Sequence, residues 1–480
     1  MTSLNLRCRL VVGALAICAE SALAQQPPDV VVSDAAYNTA MGTNALLDLS
    51  GGSGGNTAAG AGALKYNTTG GSNTAFGFVA LWDNTTGNYN TAVGAGALLS
   101  NTTGSDNTAS GTNALYFNTT GSNNTAVGLK ALYNNTIGAD NTASGLEALY
   151  LNTTGSNNTA SGLWAMYNNT NGGGNTVSGV EAMYSNTTGS NNVASGNGAL
   201  YSNTTGNTNT AVGNTALLSN STGANNTAFG FQALYSNTIG KGNAAQGTSA
   251  LYSNTAGIRN LAIGNNSLFG NVSGSYNIAL GFNAGSNVTN GSNNIEIGTP
   301  GTASDNNTIQ IGSQGTQTST TIAGIFGTQL TGSAVYVTAT GQLGTQASSE
   351  RYKTDIANMP YLSEKLAQLR PVTFHYRTDP KGVQQYGLIA EEVDKIYPEL
   401  VIRDGSGKIQ GVHYEELAPM LLNELQHQQH VLAAQNEKLA VQVSELGELK
   451  QRFAELLEIN RATQVALEKL RTRDSQVAMR

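Results

Sequence analysis

Three consecutive units decide the architecture: NTASGTNALYFNTTGSN (residues 107–123), NTAVGLKALYNNTIGAD (124–140) and NTASGLEALYLNTTGSN (141–157). Each opens on Asn, carries Gly at its fifth place and sets Ala-Leu at its eighth and ninth. The unit starts sixteen times, from Asn38 and Asn56 through to Asn277 and Asn294, and the starts after Asn56 fall 17 residues apart. Its fifth residue is Gly throughout, from Gly42 to Gly298, and its third is almost always Ala. Self-similarity at a fixed period is the mark of a stacked repeat.

In a solenoid, the same position of each repeat forms a column, so a side chain must tolerate its own copies above and below. Asn and Thr do this by laddering hydrogen bonds, and Ala and Gly by staying small where backbones converge. Each unit offers two short extended stretches, NTAxG and ALYxN, separated by turns such as NTTGSN. A small third residue beside a variable fourth (Phe76, Val93, Ser110, Val127) fits opposite faces of a strand. At about 4.8 Å per coil, sixteen coils make a rod of roughly 75 Å. The apolar content per coil is lean, mostly Ala with one Leu and one Tyr, so three chains sharing an axis are expected.

Composition agrees with a fibre followed by a different domain. The chain has 480 residues with 58 Gly, 8 Pro and 2 Cys. Residues 26–345 hold 4 basic and 10 acidic side chains, against 17 and 19 in residues 346–480. A net charge of −7 without a basic face speaks against nucleic-acid binding. Gly does not recur every third residue, which excludes collagen.

The first 24 residues read as an export signal: Arg7 and Arg9, then an apolar core, then Ala22-Leu23-Ala24 with cleavage after Ala24. That core is too short to span a bilayer, so no integral membrane anchor is expected. Both cysteines, Cys8 and Cys18, fall inside it, leaving a mature chain without disulfides or thiolate metal sites. The expected order is signal peptide 1–24, linker 25–37, 17-residue repeats 38–298, a β-rich neck 299–345, a small α+β domain 346–420 and a coiled coil 421–474.

Several residue types invite chemical readings. The tenth-place aromatics (Trp82, Tyr116, Tyr133, Tyr150, Tyr167, Tyr184, Tyr201) either stack sugars or pack at a strand edge or between subunits. The Asn-x-Thr tripeptides serve turns and ladders rather than glycans. Gly-rich turns with almost no Asp exclude calcium-binding nonapeptide repeats. His375 and His413 read as packing or hydrogen-bonding residues, and Glu391, Glu392 and Asp394 as a solvated helix face. No metal or nucleotide motif appears, and no cofactor is expected. In SSERYKTDI (348–356), Ser348 and Lys353 stand five apart, and a lysine with a lowered pKa can take a hydroxyl proton.

Over about residues 30–300 the repeats resemble the left-handed β-roll heads of trimeric autotransporter adhesins and related tail-fibre shafts, with a longer unit. From Ser348 to about Leu417 the chain resembles the endosialidase-type C-terminal intramolecular chaperone, found on phage tail spikes, tail fibres and some bacterial proteins. Four segments carry that resemblance in order: SSERYKTDI, LRPVTFHY (369–376), YGLIAEEVDKIYPELV (386–401) and GVHYEEL (411–417). It implies a domain that trimerises the chains ahead of it and then releases itself by a serine–lysine mechanism. The nucleophile would be Ser348, the general base Lys353 and the scissile bond Ser348–Ser349. Members commonly carry Asp after the nucleophile; this chain has Ser349.

The tail keeps a heptad over six repeats. Leu425, Leu432, Leu439, Leu446, Phe453, Asn460 and Leu467 occupy a; Gln428, Gln435, Gln442, Leu449, Leu456, Thr463 and Leu470 occupy d. The expectation is therefore a mainly β protein: an exported homotrimeric β-solenoid fibre, adhesin-like, with a self-cleaving chaperone and a trimeric coiled coil. Its partner would be a host-surface glycan or a cell-surface receptor. A structural surface or matrix fibre with a non-cleaving trimerisation domain is the alternative, and a phage-derived receptor-binding tail fibre is a third reading.

Overall fold

The computed structural model describes residues 32–51, 54–313, 315–323, 334–338, 340–360, 363–404 and 406–479. The export-signal residues Arg7, Arg9, Cys8, Cys18 and Ala24 lie outside them. The chain divides into two units, residues 1–321 and 322–480.

The first unit is a parallel β-solenoid. A strand of three residues recurs once per coil, from β2 (Thr39–Met41) through β18 (Ile309–Ile311), each paired in parallel with the next. The register is residue for residue: Thr125 faces Thr142, Ala126 faces Ala143 and Val127 faces Ser144. In the strands between β2 and β18 the central residue is buried and its neighbours turn outward, so Ala126 and Ala143 are fully enclosed. The final coil shortens: Ile295 pairs with Ile309, a step of 14. The parallel stack thus runs on to Ile311.

Columns at the third, eighth and ninth places, such as Ala143, Ala148 and Leu149, form one continuous core without solvent exposure. That core is closed within a single chain, so burying these residues does not require a second one. The leanness of the apolar content is offset by polar ladders. The first-place Asn141 and twelfth-place Asn152 are both fully buried. Asn141 Nδ2 donates to Asn124 Oδ1 at 3.1 Å, and Asn152 Nδ2 donates to Asn135 Oδ1 at 2.8 Å. Both also donate to the Gly155 carbonyl, at 2.9 Å each. An internal polar group that is fully bonded avoids the desolvation cost of burial.

The second stretch of each unit is not a strand. Residues from the sixth to the eleventh place form consecutive turns, and the ninth-place Leu is left-handed, with φ of 53° at Leu149 and 50° at Leu132. Its amide still reaches the next coil, Leu149 N to Ala165 O at 3.0 Å. A left-handed L-residue costs about 1–2 kcal/mol. Enclosing the Leu side chain contributes roughly 1.5–3 kcal/mol, which outweighs that cost. The left-handed twist turns the side chain inward where an extended residue would alternate, and this is why periodicity suggested a strand. Gly145 is the sharper case: with φ 142°, a Cβ there would lie 2.4 Å from the Gly162 carbonyl oxygen of the next coil.

The N-terminal end is closed by β1 (Val32–Ser33), antiparallel to β2, and by Asp34. Its carboxylate accepts from Asn38 N at 2.9 Å and from Asn38 Nδ2 at 3.0 Å, standing in for the missing Asn of a preceding coil. These bonds, led by the Asn38 side chain, hold the Asp34 carboxyl below its ordinary range.

In the second unit, β19 (Tyr336–Val337) and β20 (Leu343–Gly344) form a hairpin within the expected neck. Then follow a 3-10 turn at Glu350–Tyr352, α1 (Ser363–Leu366), the antiparallel pair β21 (Val372–Phe374) and β22 (Gln385–Gly387), and α2 (Ala390–Val393). A 3-10 turn opening on Pro398 leads into the pair β23 (Val401–Arg403) and β24 (Ile409–Val412). Val393, Tyr397, Leu400, Val401, Val412 and Met420 make the small core. The chain ends in one helix, α3 (Tyr414–Val477), of 64 residues, or about 96 Å at 1.5 Å per residue. It begins inside the small domain and continues through the whole heptad segment. No helix among the described residues is long and apolar enough to cross a membrane.

Candidate functional site

The 3-10 turn at Glu350–Tyr352 makes the local geometry of the serine–lysine pair. Tyr352 N bonds Ser349 O at 3.0 Å and Lys353 N bonds Glu350 O at 3.0 Å, which folds the chain back on itself. Lys353 Nζ thereby reaches Ser348 Oγ, 3.3 Å away. Both side chains are exposed.

Behind this turn, the remaining motif segments hold one another. Arg370, from LRPVTFHY, grips Glu392 of α2 with two bonds, Nε to Oε2 at 3.1 Å and Nη2 to Oε1 at 2.6 Å. The bond from Arg370 keeps the Glu392 carboxyl below its usual range. Asp394 pairs with Arg403 of β23. Two of the three acids taken from sequence as a solvated face are therefore ion-paired; the arginines lie too far along the chain for spacing to have shown it. Tyr414, from GVHYEEL, accepts a bond from Leu388 N at 2.7 Å. A Cβ on Gly387 would come within 2.6 Å of the Tyr414 hydroxyl, which accounts for Gly in YGLIAEEV. His413 Nδ1 lies 2.8 Å from Glu415 Oε1, and His375 is exposed. The small domain is thus a frame built from the four motifs, with Ser348 and Lys353 at its leading edge in sequence.

On the solenoid, the tenth-place aromatics form a ladder. Rings from Tyr116 through Tyr201 stack face to face along the axis at 5.0–5.3 Å between centroids. Tyr235, Tyr252 and Phe269 make a second run. Each ring face inside a run is covered by the next ring, so packing within the chain accounts for these residues. A sugar would find only ring edges there. Burial raises the pKa of Tyr133 and Tyr167, helped by neighbouring phenols at Tyr133 and by Glu147 and then neighbouring phenols at Tyr167. One place over, an open groove of about 560 Å³ runs beside Phe117, Thr119, Asn134, Thr136 and Leu151. Among the described residues no group of three or more His, Cys, Asp or Glu is placed to hold a metal.

Comparison with known proteins gives one match. Residues 348–402 fit the family model described as chaperone of endosialidase. No curated protein and no solved structure matches the chain. The match begins on Ser348 and takes in three of the four motif segments, whose side chains make the Arg370–Glu392 contact. Residues 348–402, carried behind a parallel β-solenoid, are therefore similar to the endosialidase chaperone family.

Proposed function

We propose that this is an exported, homotrimeric fibrous surface protein whose C-terminal segment assembles three chains and then cuts itself away between Ser348 and Ser349. One observation carries the reading: the Lys353 ammonium meets the Ser348 hydroxyl at the first residue of the segment that fits a chaperone family. The tail supports assembly. Leu425, Leu432, Leu439, Leu446, Leu449 and Leu456 are all more than half exposed on α3, an arrangement a lone helix in water does not sustain. Copies packed in parallel would cover that seam and set the chains in register, which lowers the entropic cost of starting the stack.

Cleavage is net hydrolysis. The Ser348–Ser349 amide breaks, and water supplies hydroxyl to the Ser348 carbonyl carbon and hydrogen to the Ser349 nitrogen. Lys353 in its neutral form would accept the proton of Ser348 Oγ. Attack by that oxygen on its own residue's carbonyl would close a four-membered lactone. Attack from the Ser348 of a neighbouring chain avoids this strain, and it couples cutting to assembly.

The solenoid would then remain as the working fibre, with adhesion to a glycan or receptor as its role. The stacked tyrosines favour the second reading, a structural surface fibre, because their faces are already occupied. Intact mass decides on the cleavage. Wild-type fragments ending at Ser348 and beginning at Ser349, absent from Ser348→Ala and Lys353→Ala, are the expected result. A wild type that stays whole when assembled would leave only a trimerising tail. Saturable binding of the isolated fibre to cells or glycan arrays would separate the adhesin from the structural fibre.

A further inference from the structure

The last two coils, opening on Asn277 and Asn294, break the repeat in four places between them. Glu296 stands at the third place, which Ala holds in nearly every other coil, and it is fully buried. Gly285 stands at the ninth place, where earlier coils carry Leu or Met. A Cβ at Gly285 would lie 2.9 Å from Leu268 Cδ2 and 3.4 Å from Glu296 Cγ, so the missing side chain is what makes room for the glutamate. Gly301, at the eighth place of the unit that holds Glu296, lies against the carboxyl itself: its Cβ would be 3.2 Å from Glu296 Cδ and 3.0 Å from Asp305 Oδ2. Val288 replaces the twelfth-place Asn, and the ladder ends with Asn271 Oδ1 unbonded among the described residues.

The two carboxyls that converge on Gly301 are treated differently. Asp305 Oδ1 accepts from Thr302 Oγ1 at 2.7 Å, and Oδ2 accepts from Thr302 N at 2.6 Å and Gln310 Nε2 at 3.1 Å. Three donors suit an ionised carboxylate. Neither oxygen of Glu296 has a hydrogen-bond partner among the described residues, and Leu268, Ala279 and Val288 lie beside the same small space. A charged carboxylate without donors in such surroundings costs far more than a protonated one, which carries only the cost of an unbonded neutral group.

We propose that Glu296 is a proton-operated latch on the C-terminal end of the solenoid: protonated, it seals the last coils, and ionised beside Asp305, it opens them. Burial, and then the Asp305 charge, push its pKa up to about 7, so the change falls in an accessible range. Among the described residues, Asp305 is the one other titratable group acting on Glu296 from the strands and turns packed around it. The sign follows from a folded-state pKa above the unfolded one. The coil is unpenalised below about pH 4.5, loses stability as pH rises towards 7, and carries the full penalty above it. Opening would be local, because coils further up have Ala in this column and their own closed ladders.

Hydrogen exchange on the full chain tests this, read as protection factors so that intrinsic rates cancel. Amides of residues 278–312 should lose at least tenfold protection between pH 5.5 and 8.5, while those of residues 108–212 keep theirs. Glu296→Gln, which has the shape but not the charge, should hold its protection at both pH values, and Glu296→Ala, which restores the repeat residue, should do likewise. Equal wild-type protection at the two pH values would overturn the latch, as would a pH response surviving in both variants. Protection at pH 8.5 that returns on adding calcium or magnesium would assign the pair to a cation instead of a proton.

Discussion

Asn141 and Asn124 are fully buried one above the other, and the amide nitrogen of the first donates to the side-chain oxygen of the second at 3.1 Å. The link is repeated up the chain: Asn158 donates to Asn141 Oδ1 through both its backbone N at 3.1 Å and its Nδ2 at 3.2 Å. Asn141→Ala leaves Asn158 N without its acceptor inside the core. A buried orphan of this kind costs about 1–3 kcal/mol. Urea unfolding of the isolated repeat region should show a loss of that size. Asn141→Asp should be worse, since it places a carboxylate where a donor is needed. An unchanged midpoint for both would mean that the ladder adds nothing.

Gly145→Ala should destabilise more than its small size suggests. Its φ of 142° is closed to residues with a Cβ, at a cost of about 1–3 kcal/mol, and the new methyl would press on the Gly162 carbonyl. Gly173 has no positive φ, though its Cβ would approach Ser156 O at 2.9 Å, so Gly173→Ala should cost less. Thermal unfolding of the two variants side by side reads the difference.

The tyrosine ladder makes a spectroscopic prediction. Burial first, then neighbouring phenols at Tyr133 and the Glu147 carboxylate at Tyr167, disfavour their phenolates. Absorbance titration should therefore find a set of tyrosines ionising above pH 10 in the folded fibre. Because the folded state holds these protons more tightly, stability falls as pH rises past the ordinary tyrosine value. Tyr150→Ala removes two stacks, at 5.2 and 5.0 Å, each worth about 0.5–1.5 kcal/mol. If every tyrosine titrates as a free phenol, the rings do not stack in solution.

Ser349→Asp restores the residue usual after the nucleophile in the resembling family. Cleavage followed by mass against time should be faster in this variant than in wild type, and slower in both at concentrations too low for chains to associate. A rate independent of concentration would place the whole reaction within one chain.

Removing α3 after Ala440 should weaken association, because the Leu446, Leu449, Phe453 and Leu456 steps of the seam go with it. Sedimentation equilibrium should then report a lower mean mass at equal concentration. The solenoid core, closed within one chain, should keep its circular-dichroism signal once folded.

The sequence alone determined the solenoid. A column exists wherever position recurs every 17 residues, and Asn, Thr, Ala and Gly tolerate their own copies at that spacing, so NTAxG could be assigned from residue type. The nearness of Ser348 and Lys353 was legible too, because the segment is contiguous and the 3-10 turn between them is local. The ALYxN stretch was misjudged for a physical reason: handedness of a residue leaves no trace in hydrophobic period, and Leu149 at φ 53° points inward as a strand residue would. The three-dimensional structure also decided what depends on residues far apart in the chain. Arg370 meets Glu392, Tyr414 meets Leu388, the tyrosine faces close on one another, and Gly285 makes space for Glu296. Each depends on two backbones arriving at one place, a distance set by packing and not by spacing along the sequence.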